Sequence, residues 1–64
     1  MKQEHIVEAA IRRFSHFGIA KTTMTEIADD LSLSKQSLFY YFPDKQSLVL
    51  AVREKLTENY LAVL

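Results

Sequence analysis

Cysteine is absent from the 64 residues, so neither a disulfide framework nor a thiolate zinc site can staple the chain. The two histidines, His5 and His16, stand well apart with no ligand pair nearby, which disfavours a structural metal. No apolar run approaches the ~20 residues of a membrane-spanning helix, and the N-terminus has no signal-peptide pattern. The setting expected is the cytoplasm, with no membrane partner. An excess of one charge is lacking too. Eight Lys+Arg balance eight Asp+Glu, for a net charge of zero and a pI near 6.7. Nucleic-acid binders are usually more basic, so a case for DNA has to rest on where the charges lie. Glycine and proline occur once each, as Gly18 and Pro43. Against these absences, 48% of the residues are hydrophobic, too many for a disordered chain. Ordering so short a chain costs roughly 1.5 kcal/mol per residue and leaves a single small core only a few kcal/mol of net stability.

Helical spacing recurs along the sequence, whereas alternation of apolar and polar residues is never sustained. Ile6, Ala10, Phe14 and Phe17 lie on one face of a helix over about 3–17, and Gly18 follows as a left-handed stop. Thr23-Met24-Thr25-Glu26 fits a capping box, and Met24, Ile27, Ala28 and Leu31 continue as the apolar face of a short second helix. Ser34 is suited to cap a third helix over about 35–41, with Leu33 stapled on Leu38. Pro43 closes it, because its ring disfavours a helical residue before it. In this third helix Leu38 and Phe42 point to one side, Tyr40 to the other, Gln36 and Ser37 outward, and Phe39 and Tyr41 to the flanks. Asp44 can cap a fourth helix whose stripe of Leu48, Val52, Leu56, Tyr60 and Leu64 runs to the last residue. That stripe is longer than three short helices can cover, so the chain is expected to be part of a larger protein.

Enzymatic constellations are weak. There is no glycine-rich phosphate loop and no cysteine nucleophile; Asp29 and Asp30 are adjacent rather than paired on one face, as on a solvated helix. No catalytic residue, cofactor or metal ligand is assigned, and the protein is not expected to be an enzyme. Residues 23–42 carry more. A capped helix, a short turn and a second helix form a helix-turn-helix, whose second helix can enter the major groove. Lys35 and Gln36 occupy its first turn; lysine can donate to guanine and glutamine can pair two-fold with adenine. Tyr40 and Tyr41 can donate to phosphate oxygens, and Phe39, most simply a core aromatic, can touch a thymine methyl from its flank position. Lys45 adds its charge at the start of the fourth helix. Singly, each has an ordinary explanation: tyrosines near helix ends often keep the hydroxyl wet, and lysines solubilise surfaces. Together, behind a capped helix, they favour DNA.

The chain resembles the N-terminal DNA-binding domain of TetR-family transcriptional regulators. The likeness runs through Ile6, Ala9-Ala10, Phe14, Gly18, Thr22-Thr23, Ile27-Ala28, Ser34-Lys35, Leu38-Phe39-Tyr40-Tyr41-Phe42, Lys45 and Leu48. It implies an all-α fold: a three-helix, homeodomain-like helix-turn-helix head over 1–60, with its motif at 23–42. Residues 44–64 would begin a linking helix to a ligand-binding and dimerisation domain outside this sequence. It implies DNA-facing positions at Thr23, Ser34, Lys35, Gln36, Ser37, Phe39, Tyr40, Tyr41 and Lys45. It also implies a homodimer on a palindromic double-stranded operator, and a small-molecule effector that changes the spacing of the two heads. Three residues depart from the family pattern. Ser32 replaces the usual turn glycine and has to bear a left-handed conformation at some cost. Gln36 stands where a small residue is common. Arg13 replaces a leucine, so its stem has to lie along the core while its head finds water or a carboxylate.

The reading is a sequence-specific DNA-binding head of a ligand-responsive regulator, of the repressor type. Its rival is a helical protein-interaction module that uses the same scaffold without DNA. The neutral charge supports the rival; the outward Gln36, Tyr40 and Lys45 support DNA.

Overall fold

A computed structural model describes the backbone of residues 2–63 and the side chains of residues 2–58. All regular structure in the described residues is helical, in the order α1 (Lys2–Phe17), α2 (Met24–Asp30), α3 (Lys35–Tyr41) and α4 (Lys45–Val63). Both short inner helices begin at the expected caps. Glu26 N–H donates to Thr23 Oγ1 at 3.2 Å while Thr23 N–H donates to Glu26 Oε1 at 2.9 Å, which completes the capping box. Ser37 N–H donates to Ser34 Oγ at 3.1 Å to start α3. At α4, Ser47 N–H donates to Asp44 Oδ1 at 2.7 Å. Each of these bonds satisfies an amide that a helix start leaves without a partner.

The helix ends differ from one another. Gly18 has φ +86°, and its N–H donates to Phe14 O at 2.9 Å, the single bond of a left-handed stop. At the end of α2, Ser32 has φ +55°; its N–H donates to Asp29 O at 3.1 Å, and Leu33 N–H reaches back to Ala28 O at 2.9 Å. That pair of bonds is a Schellman motif with serine in the place glycine usually takes. The left-handed conformation expected at Ser32 is therefore present.

The core joins Ile6, Val7, Ala9 and Ala10 of α1 to Met24, Ile27 and Ala28 of α2, Leu38 and Phe42 around α3, and Leu48 and Val52 of α4. Two features of α1 differ from the simple stripe. Val7 and Ala9 are buried along with Ile6 and Ala10, because α1 packs against both α2 and α4 and so needs a wider apolar face. Phe17 is 57% exposed rather than in the core. It lies at the end of α1 with the Arg13 guanidinium carbon 5.3 Å from its ring centre, a cation–π arrangement. On α4 the coverage stops after Val52. Leu56 is 51% exposed, while Tyr60 and Leu64 lie outside the residues whose side chains are described. The expectation that the head cannot cover this stripe therefore holds at Leu56.

Arg13 is the other departure whose fate is visible. Its Nε donates to Asp30 Oδ2 at 2.7 Å and its Nη2 to Asp30 Oδ1 at 2.8 Å, a two-pronged pair between α1 and the last residue of α2. Its Nη1 approaches Glu26 Oε2 at 3.4 Å. The head of Arg13 has found carboxylates, as a partly covered arginine on this face must.

Candidate nucleic-acid interface

The α3 sequence sorts its side chains by angle. Leu38 is completely buried and Phe42 nearly so, while Tyr40 on the opposite side is 82% exposed. Lys35 and Gln36 are exposed in the first turn, and Ser37 and Tyr41 are half-buried. Phe39, on the flank, is 37% exposed, with part of its side chain open to solvent. Tyr40 and Tyr41 meet edge to face, with ring centres 5.2 Å apart and planes at 87°. This contact favours the rotamers in which the two rings meet.

Five of the sequence-derived site residues come together. Ser34, Gln36, Ser37, Tyr40 and Tyr41 line one shallow depression of about 280 Å³ along α3. The sixth residue lining it is Lys2, from the start of α1. Sequence reasoning did not find Lys2, because it lies more than thirty positions from α3 in the chain and carries no local motif. Within the depression, Ser34 Oγ donates to Ser37 Oγ at 3.0 Å while accepting from the Ser37 amide. The Ser37 hydroxyl is thereby left with its own proton free to donate outward.

The remaining site residues lie elsewhere on the head. Lys35 is exposed at the front of α3 but does not line the depression. Thr23 spends its hydroxyl on the capping box, accepting from Glu26 N–H and donating to Glu26 Oε1 at 3.0 Å. Lys45 opens α4 and lines a separate groove with Ile19, Gln46, Val49, Leu50 and Arg53.

Charge around the interface follows from hydrogen bonds. Arg13 holds the Asp30 carboxyl below the usual carboxylate range, chiefly through their hydrogen bonds. Glu26 is held low first by the Thr23 backbone N–H, then by the Thr23 hydroxyl. Two of the three acids of α2 are thus occupied, and Asp30 has a cation against it. At the start of α4 the Ser47 amide keeps Asp44 low. A carboxylate therefore stands next to Lys45 and consumes one of the amides that would otherwise favour a phosphate there.

Among the described residues no three His, Asp or Glu side chains gather in a group able to hold a metal ion. None of the described helices is long and apolar enough to cross a membrane.

A capped helix, a short turn and a second helix with its polar face open define a helix-turn-helix domain of the kind found in transcriptional regulators. The sequence matches the profile of bacterial regulatory proteins, tetR family, over residues 6–52. The HTH-type transcriptional regulator RutR of Escherichia coli is 40% identical over 63 residues, covering 98% of this chain and 30% of that protein. The HTH-type transcriptional regulator TtgR of Pseudomonas putida is 34% identical over 55 residues, covering 86% of this chain and 26% of that protein. A third relative, the uncharacterized HTH-type transcriptional regulator YerO of Bacillus subtilis, is 38% identical over 53 residues, covering 83% of this chain and 18% of that protein. The chain belongs to the tetR family of bacterial regulatory proteins, as their helix-turn-helix DNA-binding domain. It spans 30% or less of the length of these curated relatives. No solved structure gives a significant match.

Proposed function

We propose that this chain is the sequence-specific, double-stranded-DNA-binding head of a ligand-responsive transcriptional regulator, a cytoplasmic repressor that acts as a homodimer on a palindromic operator. Residues 1–60 form the head, with the motif at 23–42, and residues 44–64 begin the link to a second domain that binds the effector and holds the dimer. The observation that carries this reading is the open polar face of α3: Gln36 and Tyr40 exposed while Leu38 and Phe42 anchor the same helix in the core. Family membership supports it.

In this reading α3 lies in the major groove. Lys35 and Gln36 in its first turn reach base edges, Lys35 toward guanine and Gln36 two-pronged toward adenine. Phe39 offers an apolar edge to a thymine methyl. Tyr40, Tyr41 and Ser37 present hydroxyls to phosphate oxygens, Ser34 orients the Ser37 hydroxyl by donating to it, and Lys45 adds a cation past the end of α3. Thr23 contributes by holding the start of α2. One head alone neutralises few phosphates and binds weakly; two heads on two half-sites gain through effective concentration.

The test is binding of a covalently paired head to a randomised pool of duplexes, followed through salt. Log affinity should fall linearly with log salt, by a slope of about −3 or shallower for each head, with Lys21, Lys35 and Lys45 as the cations near the motif's surface. On the selected duplex, Tyr40→Phe should weaken binding by about 0.5–1.5 kcal/mol and equally for all single-base variants. Gln36→Ala should cost about 1–3 kcal/mol and relax the preference at one base pair. If no duplex in the pool shows salt-dependent binding, the scaffold serves protein interaction instead.

A further inference from the structure

We propose that Lys2, at the start of α1, is a DNA-backbone contact, gripping a phosphodiester in the depression along α3. The inference rests on the DNA-binding reading above and adds to it a residue from outside the helix-turn-helix motif.

Three observations carry it. First, the depression is lined by Lys2, Ser34, Gln36, Ser37, Tyr40 and Tyr41. Every one of these side chains can donate a hydrogen bond, and no carboxylate is among them. A concavity of donors with one cation and no acid has the chemistry of a phosphodiester seat. Second, Lys2 is exposed and makes no ion pair with any described residue, so its charge is not already spent. Third, the cation at the other end of α3 lines a different groove. Lys45 shares that groove with Ile19, Gln46, Val49, Leu50 and Arg53, and α3 contributes nothing to it. Lys2 therefore supplies the depression with a cation that Lys45 does not line, beside the Ser37 hydroxyl whose proton is free to point outward. Phosphate contacts on two sides of α3 fix how the helix sits in the groove, which keeps Gln36 in register with its base.

The contact predicts a particular salt signature. Each neutralised phosphate contributes a slope of about −0.9. Lys2→Gln should flatten the log–log salt dependence by about 0.9 per head, so the parent's advantage over the variant shrinks about 3.5-fold between 50 and 200 mM salt. The loss should be equal across single-base variants of the selected duplex, and Lys2→Arg should restore the parent slope. Because Lys2 is exposed, the thermal midpoint should not move.

Binding of the chain, tagged only at its C-terminus, is measured by fluorescence anisotropy on the selected duplex over that salt range. Parallel salt lines for parent and Lys2→Gln, with the parent binding normally, would overturn the role of Lys2 and leave the DNA reading intact. A change in base preference in place of the changed slope would overturn the backbone assignment. A parent that binds no duplex at any salt overturns the DNA reading and this inference with it.

Discussion

The two turns of the head solve one backbone problem with different residues. At the end of α1 the left-handed position is Gly18, held by a single bond from its own N–H to Phe14 O. At the end of α2 the left-handed position is Ser32, held by two bonds and by the packing of Leu33 against the core. Glycine takes that conformation at no steric cost, so one backbone bond suffices, with the Thr22 hydroxyl on its carbonyl beside it. A serine is disfavoured there by about 1–2 kcal/mol, and the second bond and the Leu33 contact over-determine the turn until the strain is tolerated. A helix stop is thus a balance between the residue and what surrounds it.

The largest test of this contrast is Gly18→Ala. A Cβ at Gly18 meets nothing within 4 Å, so the cost is conformational alone. The chain should lose about 1–2 kcal/mol of stability, read from denaturant midpoints at constant slope. A loss near zero would mean that the α1 turn relaxes out of the left-handed region in solution.

Thr22 supplies the second. It is buried, and its hydroxyl donates to Gly18 O at 2.9 Å, tying the turn to the start of α2. Thr22→Val keeps the shape and removes the bond, and should cost about 0.5–1.5 kcal/mol. If Gly18→Ala and Thr22→Val are combined, their effects should fall short of additivity, since both act on one turn. Strict additivity would show that the bond does not support the glycine conformation.

Ser32→Gly runs the other way. It relieves the left-handed penalty at Ser32 but increases the freedom lost on folding, so the net gain should be smaller, about 0.5–1 kcal/mol. A destabilised variant would show that Ser32 makes a favourable contact of its own.

These turns also mark what could be read in advance. Gly18 announces itself, because a lone glycine after a helical stripe has few other uses. Ser32 does not, and its left-handed state follows only from the family resemblance. Helix starts were legible at Thr23, Ser34 and Asp44, since a cap is a local bond between residues a few positions apart. What failed or stayed hidden is non-local. Phe17 fits the α1 stripe by spacing, yet no described element lies over it, so it stays exposed. Val7 and Ala9 are buried because α1 has neighbours on two sides, which its own sequence does not announce. The four α3 residues of the depression and their N-cap Ser34 could be chosen from one local stretch, whereas Lys2 joins them only through the packing of the head.

Arg13 links the two turns, and the smallest expected effect lies with it. It sits one turn before Gly18 and holds Asp30, the last residue of α2, just ahead of Ser32. An acid at a helix C-terminus opposes the helix dipole, so without Arg13 the serine stop would carry an unfavourable charge beside it. In the folded chain Asp30 is held low chiefly by its hydrogen bonds from Arg13, Glu26 chiefly by the Thr23 amide, and Asp44 chiefly by the Ser47 amide. A carboxyl whose pKa is depressed by folding stabilises the fold above its unfolded value, near 4, and that contribution is lost as pH falls through the folded value. The thermal midpoint should therefore be level above the ordinary carboxylate range and decline below it. Arg13→Leu removes the principal cause acting on Asp30 but leaves the amides that act on Glu26 and Asp44, so the decline should become shallower without vanishing. Asp30 and Asp44 are exposed and Arg13 and Glu26 only partly covered, so the difference should be modest and should shrink further in high salt. Thermal melts of parent and Arg13→Leu from about pH 6 down to about pH 2, at low and high salt, measure it. Identical acid profiles would mean that the Arg13–Asp30 fork is not populated in solution, and the serine turn would then have to be held by its two backbone bonds and Leu33 alone.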